Sequence, residues 1–255
     1  MIIAAIIVFF SVVFFLITRK IIKAIFLASS TLFVIILILS FFIFADVMNL
    51  KENLESEPKI FLLEDDSKIL TGMVFSDMSD FNSMNFLPED DLKNLGSSYM
   101  KHDYESMLDE KFLMFIFSME AFENSDSTII EVEDQTFEKE LIFQMLRSDD
   151  PIQIFIEDQG YDNIPEGISP EQRADIIARR REQMGSSSDF KGNLFGMLVG
   201  TEMMDRGPIF IFSEYKKDNI LIYPETAVFK FIDMVPRSLI DKVFNFVNER
   251  LGAEQ

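Results

Sequence analysis

The chain has no cysteine and no tryptophan, and its 255 residues include one histidine, His102. Without thiols there can be no disulfide, no thiolate metal site and no cysteine nucleophile. The redox compartment stays open, because a disulfide-free domain works on either side of a membrane. Acidic residues are missing from 1–45, where Arg19, Lys20 and Lys23 are the only charged side chains. Glycine and proline are missing from the TRKIIK segment (18–23) that carries those three, so nothing local forces a turn there.

Phenylalanine is abundant, with 28 copies against five tyrosines. Together with Leu, Ile and Val it supplies far more apolar surface than a disordered chain carries. The acids are concentrated: all 43 Asp and Glu lie in 46–255, against 20 Lys and Arg, a net charge of −23 there and −20 for the whole chain. Such a surface repels phosphate backbones, and no nucleic-acid partner is expected. It favours cations or basic partners instead.

Two apolar runs dominate the N-terminal region. IIAAIIVFFSVVFFLI covers 2–17 and AIFLASSTLFVIILILSFFIFA covers 24–45. As helices they would extend about 24 Å and about 33 Å, against a hydrocarbon core of about 30 Å. The first run has no basic residue before it and no small-x-small cleavage site after it, which argues against a signal peptide. The expectation is therefore a transmembrane hairpin. Its bend, with Arg19, Lys20 and Lys23 as topology determinants, would lie in the cytoplasm by the positive-inside rule. The connector 46–58 holds Lys51 against Asp46, Glu52, Glu55 and Glu57. Both termini and the acidic domain would then face outward.

Beyond the connector the pattern mixes strands and helices. IFLLE (60–64) and ILTGMVF (69–75) flank Asp65-Asp66-Ser67-Lys68, a hairpin signal. KFLMFIFS (111–118) fits a buried strand or a buried helical turn, and STIIEV (127–132) fits a strand. Helical spacing after Thr136, with Thr136 as cap, gives way at Asp149-Asp150-Pro151 to IQIFIE (152–157), read as a strand. In SPEQRADIIARRREQMG, Ser169 caps a helix with Pro170 at its first position, Gln172 in the capping-box place and Gly185 beyond its end. SSSD (186–189) starts another helix. IFIFSEY (209–215) and ILIY (220–223) read as a second hairpin, and two further helices parted near Pro236 close the chain. Without regular βαβ alternation the class is α+β.

Candidate chemistry is sparse. Ser97, Ser98, His102 and Asp103 lie close in sequence, but no nucleophile-elbow pattern surrounds either serine. Acidic pairs recur at 65–66, 90–91, 149–150 and 157–158 and suit turns and caps. The calcium-loop likeness of 77–89 fails, with Phe81 and Asn82 at positions that need Asp/Asn and Gly. Arg173, Arg179, Arg180 and Arg181 form the densest basic patch, with local partners in Glu171, Asp175 and Glu182. Gly192, Gly196 and Gly200 repeat every four residues in KGNLFGMLVGTEMM. In a helix they form one groove, suited to close packing within the domain or against a partner.

The expected architecture is an α+β soluble domain following an N-terminal two-helix transmembrane hairpin: helices at about 2–17 and 24–45, a connector at 46–58 and an acidic α+β domain at 59–255. The expected function is a membrane-anchored, non-catalytic interaction or assembly module at the cell membrane, its domain outside the cytoplasm. The bilayer, a protein partner or a second copy would be what it contacts, with no cofactor or metal. The alternatives are a membrane-anchored hydrolase using His102 or a loop-bound cation, and an accessory subunit of a larger membrane complex.

Overall fold

The structure, a computed structural model, describes residues 29, 31, 33–34, 38, 41, 44–46, 48–50, 52–53, 56–76, 83–123, 129–132, 135–159 and 169–236. The chain falls into two compact units, Met1–Asn49 and Leu50–Gln255.

The expected transmembrane hairpin is overturned. Among the described residues no helix is long and apolar enough to cross a membrane. The run 2–17 and the bend with Arg19, Lys20 and Lys23 lie outside the described residues. The run 24–45 is described only at scattered positions, all helical, where Phe33, Phe41 and Phe44 are exposed. A span needs about 20 consecutive apolar residues carried on one helix, and apolar length in the sequence is only the first half of that condition. The reading as an integral membrane protein with an outward domain rested on that hairpin and falls with it.

The second unit is α+β. Its main sheet has five strands in the order β3-β2-β1-β4-β7. β1 (Lys59–Asp65) runs antiparallel to β2 (Lys68–Phe75) and parallel to β4 (Leu113–Ser118). β3 (Met84–Phe86) pairs antiparallel with β2, and β7 (Ile220–Tyr223) antiparallel with β4. β5 (Ile129–Val132) and β6 (Gln135–Glu138) form a separate two-stranded ribbon. The first hairpin stands where its apolar runs place it: Asp66 and Ser67 take positive φ values of 49° and 66° in the turn.

Strand alternation splits the core in two. Phe61, Leu63, Met73, Phe115, Phe117 and Ile222 face one side, covered by α3 (Glu120–Glu123), α4 (Lys139–Arg147), α5 (Pro151–Gln159), α7 (Ser187–Arg206), α8 (Ile209–Tyr215) and α9 (Ala227–Met234). Ile60, Leu62, Ile69, Met114 and Ile116 face the other, covered by α1 (Glu89–Tyr99) and α2 (Tyr104–Leu108). The phenylalanine excess is explained on the first side. Phe61 stacks on Phe115 at 4.8 Å, and Phe117 and Phe122 meet Phe195 and Phe210 at 5.6 to 6.2 Å between ring centroids. Such pairs add about 0.5–1.5 kcal/mol each beyond the area they bury.

Two expected elements change type, and a third starts later than expected. IQIFIE is the body of α5, not a strand. Pro151 takes the first helical position, the Gln153 N–H donates to Asp150 Oδ1 at 3.2 Å, and Ile152 and Ile156 are buried one turn apart. IFIFSEY is α8 after Pro208, burying Phe210 and Glu214 at the same spacing. Residues four apart share a strand face as well as a helix face, so these short runs satisfy both periods. Thr136 lies in β6, and α4 begins three residues later with Glu138 at its N-cap. The 170–183 helix, α6, is as expected: the Ser169 N–H donates to Gln172 Oε1 at 3.0 Å and the Gln172 N–H to Ser169 Oγ at 3.2 Å. Of the two closing helices, α9 is described and the second lies outside the described residues.

Candidate functional site: a lysine-lined groove at the sheet edge

β2 has eight residues, but β3 pairs only with Met73, Val74 and Phe75. The Leu87 N–H donates to the Gly72 carbonyl at 3.0 Å, and Pro88 then turns the chain into α1. Among the described residues no strand covers that side of Lys68–Thr71. A groove of about 560 Å³ opens there. One wall is a single face of α1, where Glu89, Leu92, Lys93, Gly96, Ser97 and Met100 recur at three- and four-residue spacing. The floor is Ser67–Leu70 of the turn and β2, and the far wall is Ser187, Ser188 and Lys191 of α7, with Asp149 beside them. A Cβ added at Gly96 would meet nothing within 4 Å, so α1 leaves the groove open at its middle.

The groove concentrates positive charge in an acidic molecule. Lys93 pairs with Glu89 at 2.9 Å, one turn away on the same helix. That bond holds the Glu89 carboxyl below its ordinary value and raises the Lys93 ammonium. Lys68 and Lys191 form no ion pair with the described residues. Burial, reinforced by the charge of Lys68, pulls the Lys191 ammonium below its ordinary value, while Asp149 and Glu89 act the other way. The α7 N-terminus itself is already occupied: the Asp189 N–H donates to Ser186 Oγ at 3.1 Å, and Ser186 Oγ donates to the Asp189 carboxylate at 2.7 Å. Any affinity for anions therefore lies in the two lysines.

The structure disperses the other sequence candidates. His102 is exposed at φ 56°, with Nδ1 3.1 Å from the Tyr104 hydroxyl. Asp103 caps α2 by accepting the Ser106 N–H at 3.2 Å; the Ser106 hydroxyl first, and this N–H second, lower its pKa. Among the described residues neither Ser97 nor Ser98 hydrogen-bonds to His102. No group of three acidic or histidine side chains among the described residues could hold a metal ion. Residues 77–82 of the calcium-like stretch, Phe81 and Asn82 included, lie outside them. Arg179 pairs with Asp175 at 2.7 Å, and Arg181 with Asp150, a partner 31 positions away.

The three glycines have unequal surroundings. Gly192 takes the ring of Phe86 against its Cα, and an added Cβ there would stand 2.7 Å from Phe86 Cγ. Gly196 faces Met84 and Met73 at ordinary contact distance, and Gly200 faces open space. The neighbour of the first two is the domain's own sheet, through β3 and β2.

Lys68 and Lys191 were missed because they lie 123 positions apart and each reads locally as a turn or helix-surface lysine. The one hint is that Lys191 directly precedes Gly192 on an otherwise apolar helix face. Comparison of the chain with protein-family models, with curated proteins and with solved structures finds no match.

Proposed function

We propose that the unit Leu50–Gln255 is a non-catalytic interaction module whose ligand site is the groove at the β2 edge, with an anionic group seated between Lys68 and Lys191. The observation that carries this reading is the pair of lysines itself. Two like charges share one concave site, one of them half-buried, with no carboxylate paired to either among the described residues. Holding such a pair costs free energy in the empty protein, and an anion between them returns it. A catalytic reading has less support: His102 sits outside the groove lining and is engaged by Tyr104.

The test uses reductive ¹³C-methylation of the lysines of the full chain and pyrophosphate as probe. The Lys68 and Lys191 methyl signals are expected to shift saturably, while that of exposed Lys101 follows ionic strength alone. Equal, non-saturating shifts at all three would refute the site.

A further inference from the structure

We infer that the occupant of this groove is an extended peptide segment bearing an acidic side chain, added as a strand along Lys68–Leu70 of β2, which no described strand pairs on that side; the inference rests on the anion-site reading above. Four features of the groove converge on that occupant. First, the floor of the groove is strand edge, and a strand edge recognises another strand through its main-chain groups whatever the sequence. Second, β3 already shows how the edge is used: it pairs with Met73–Phe75 and then leaves, so an added segment would continue its line along Lys68–Leu70, the part of β2 that floors the groove. At about 3.3 Å per residue this is a site about 10 Å long, suited to three residues.

Third, the two sides of the groove differ in a way that fits alternating side chains. Ile69 and Leu92 offer apolar surface towards α1, while Lys68 and Lys191 offer charge near the turn and α7. Fourth, the same lysines decide against a second copy of this chain. Edge-to-edge pairing of two β2 strands would bring lysines into the neighbourhood of lysines, and like charges facing across strands are destabilising. The edge is closed to itself and open to an acidic strand.

The experiment pans a random decapeptide display library on the immobilised full chain, then measures the enriched peptides by fluorescence polarisation. Enriched sequences are expected to carry Asp or Glu and to avoid proline over a three-residue core. Peptide N-methylation, scanned through that core, should weaken binding about tenfold or more at every second residue and leave the residues between unaffected. The methyl group alters the peptide only, so a folding defect of the protein cannot imitate that alternation. On the protein side, Gly96→Leu fills the open middle of the groove without changing its charge. It should abolish peptide binding while pyrophosphate still moves the Lys68 and Lys191 methyl signals. Binding that tolerates N-methylation at every position but is lost in Lys191→Glu would overturn strand addition and leave the anion site standing. Failure to enrich any acidic peptide, with the pyrophosphate response intact, would do the same. Peptide binding indifferent to both Lys68→Glu and Lys191→Glu would overturn the two together.

Discussion

Glu214 keeps its carboxyl entirely out of water, yet three donors surround it: Arg206 at 2.9 Å, Lys217 at 2.6 Å and Asn219 at 2.8 Å. Arg206 also reaches Glu202 at 3.3 Å and lies over the Phe210 ring at 5.1 Å. The cluster ties the end of α7 to α8 and to the start of β7, and the Asn219 N–H donates back to the Glu214 carbonyl at 2.9 Å. Burial pushes the Glu214 carboxyl up, and the three donors together bring it below its ordinary value of 4.5. A depressed carboxyl contributes its stability in full above the unfolded-state pKa and loses it as pH falls through the folded value. Removing one partner of a buried ionic cluster costs about 3–5 kcal/mol, so Glu214→Gln should be destabilised by about that amount at pH 7. The gap between wild type and variant should then close below about pH 4.5, where wild type alone loses this contribution. Urea denaturation at pH 7, 5, 4 and 3 measures the gap, and parallel losses in the two proteins would show that the carboxylate charge is not what the donors hold. Lys191 is the opposite case, a cation with its burial and its neighbour both against it.

At the scale of elements, α7 carries the clearest contrast between pattern and packing. A four-residue glycine repeat promises one continuous groove, but its three positions meet a phenylalanine ring, two methionine side chains and open space. Gly192→Ala should therefore destabilise by about 1–3 kcal/mol through overpacking against Phe86. Gly200→Ala should stabilise by up to about 1 kcal/mol, since alanine suits a helix interior better and meets nothing there. Thermal denaturation of the two variants reads the difference directly; equal effects would mean that Phe86 does not seat at Gly192. The same scale explains what the sequence made legible. Capped helices such as α6, and strands bounded by turn residues such as β1 and β2, carry their own boundaries. The runs IQIFIE and IFIFSEY are too short for period to decide, and the residues that decide, Asp150 with Pro151 and Pro208, lie just outside them.

For the molecule as a whole, charge is the dominant fact. A net −20 chain repels itself, and added salt should stabilise it by screening. The groove breaks that uniformity, and it was not legible in the sequence because three segments build it: 67–70, 89–100 and 187–191 with Asp149. No spacing rule links residues so far apart, and only the sheet order brings them to one edge. Screening and binding then make separable predictions. Sodium chloride and pyrophosphate at matched ionic strength screen self-repulsion alike, but a pyrophosphate can engage both lysines that line the groove. A ligand that binds the folded state alone stabilises by RT ln(1 + [L]/Kd), about 2.7 kcal/mol at a hundredfold excess over Kd. For a unit of this size that is a rise of about 5–10 °C in Tm over the chloride control. Lys68→Met/Lys191→Met should keep the chloride response and lose the excess. An excess that survives in the double variant would place the anion elsewhere on the chain, and no excess in wild type would leave the lysine pair without an anion to hold.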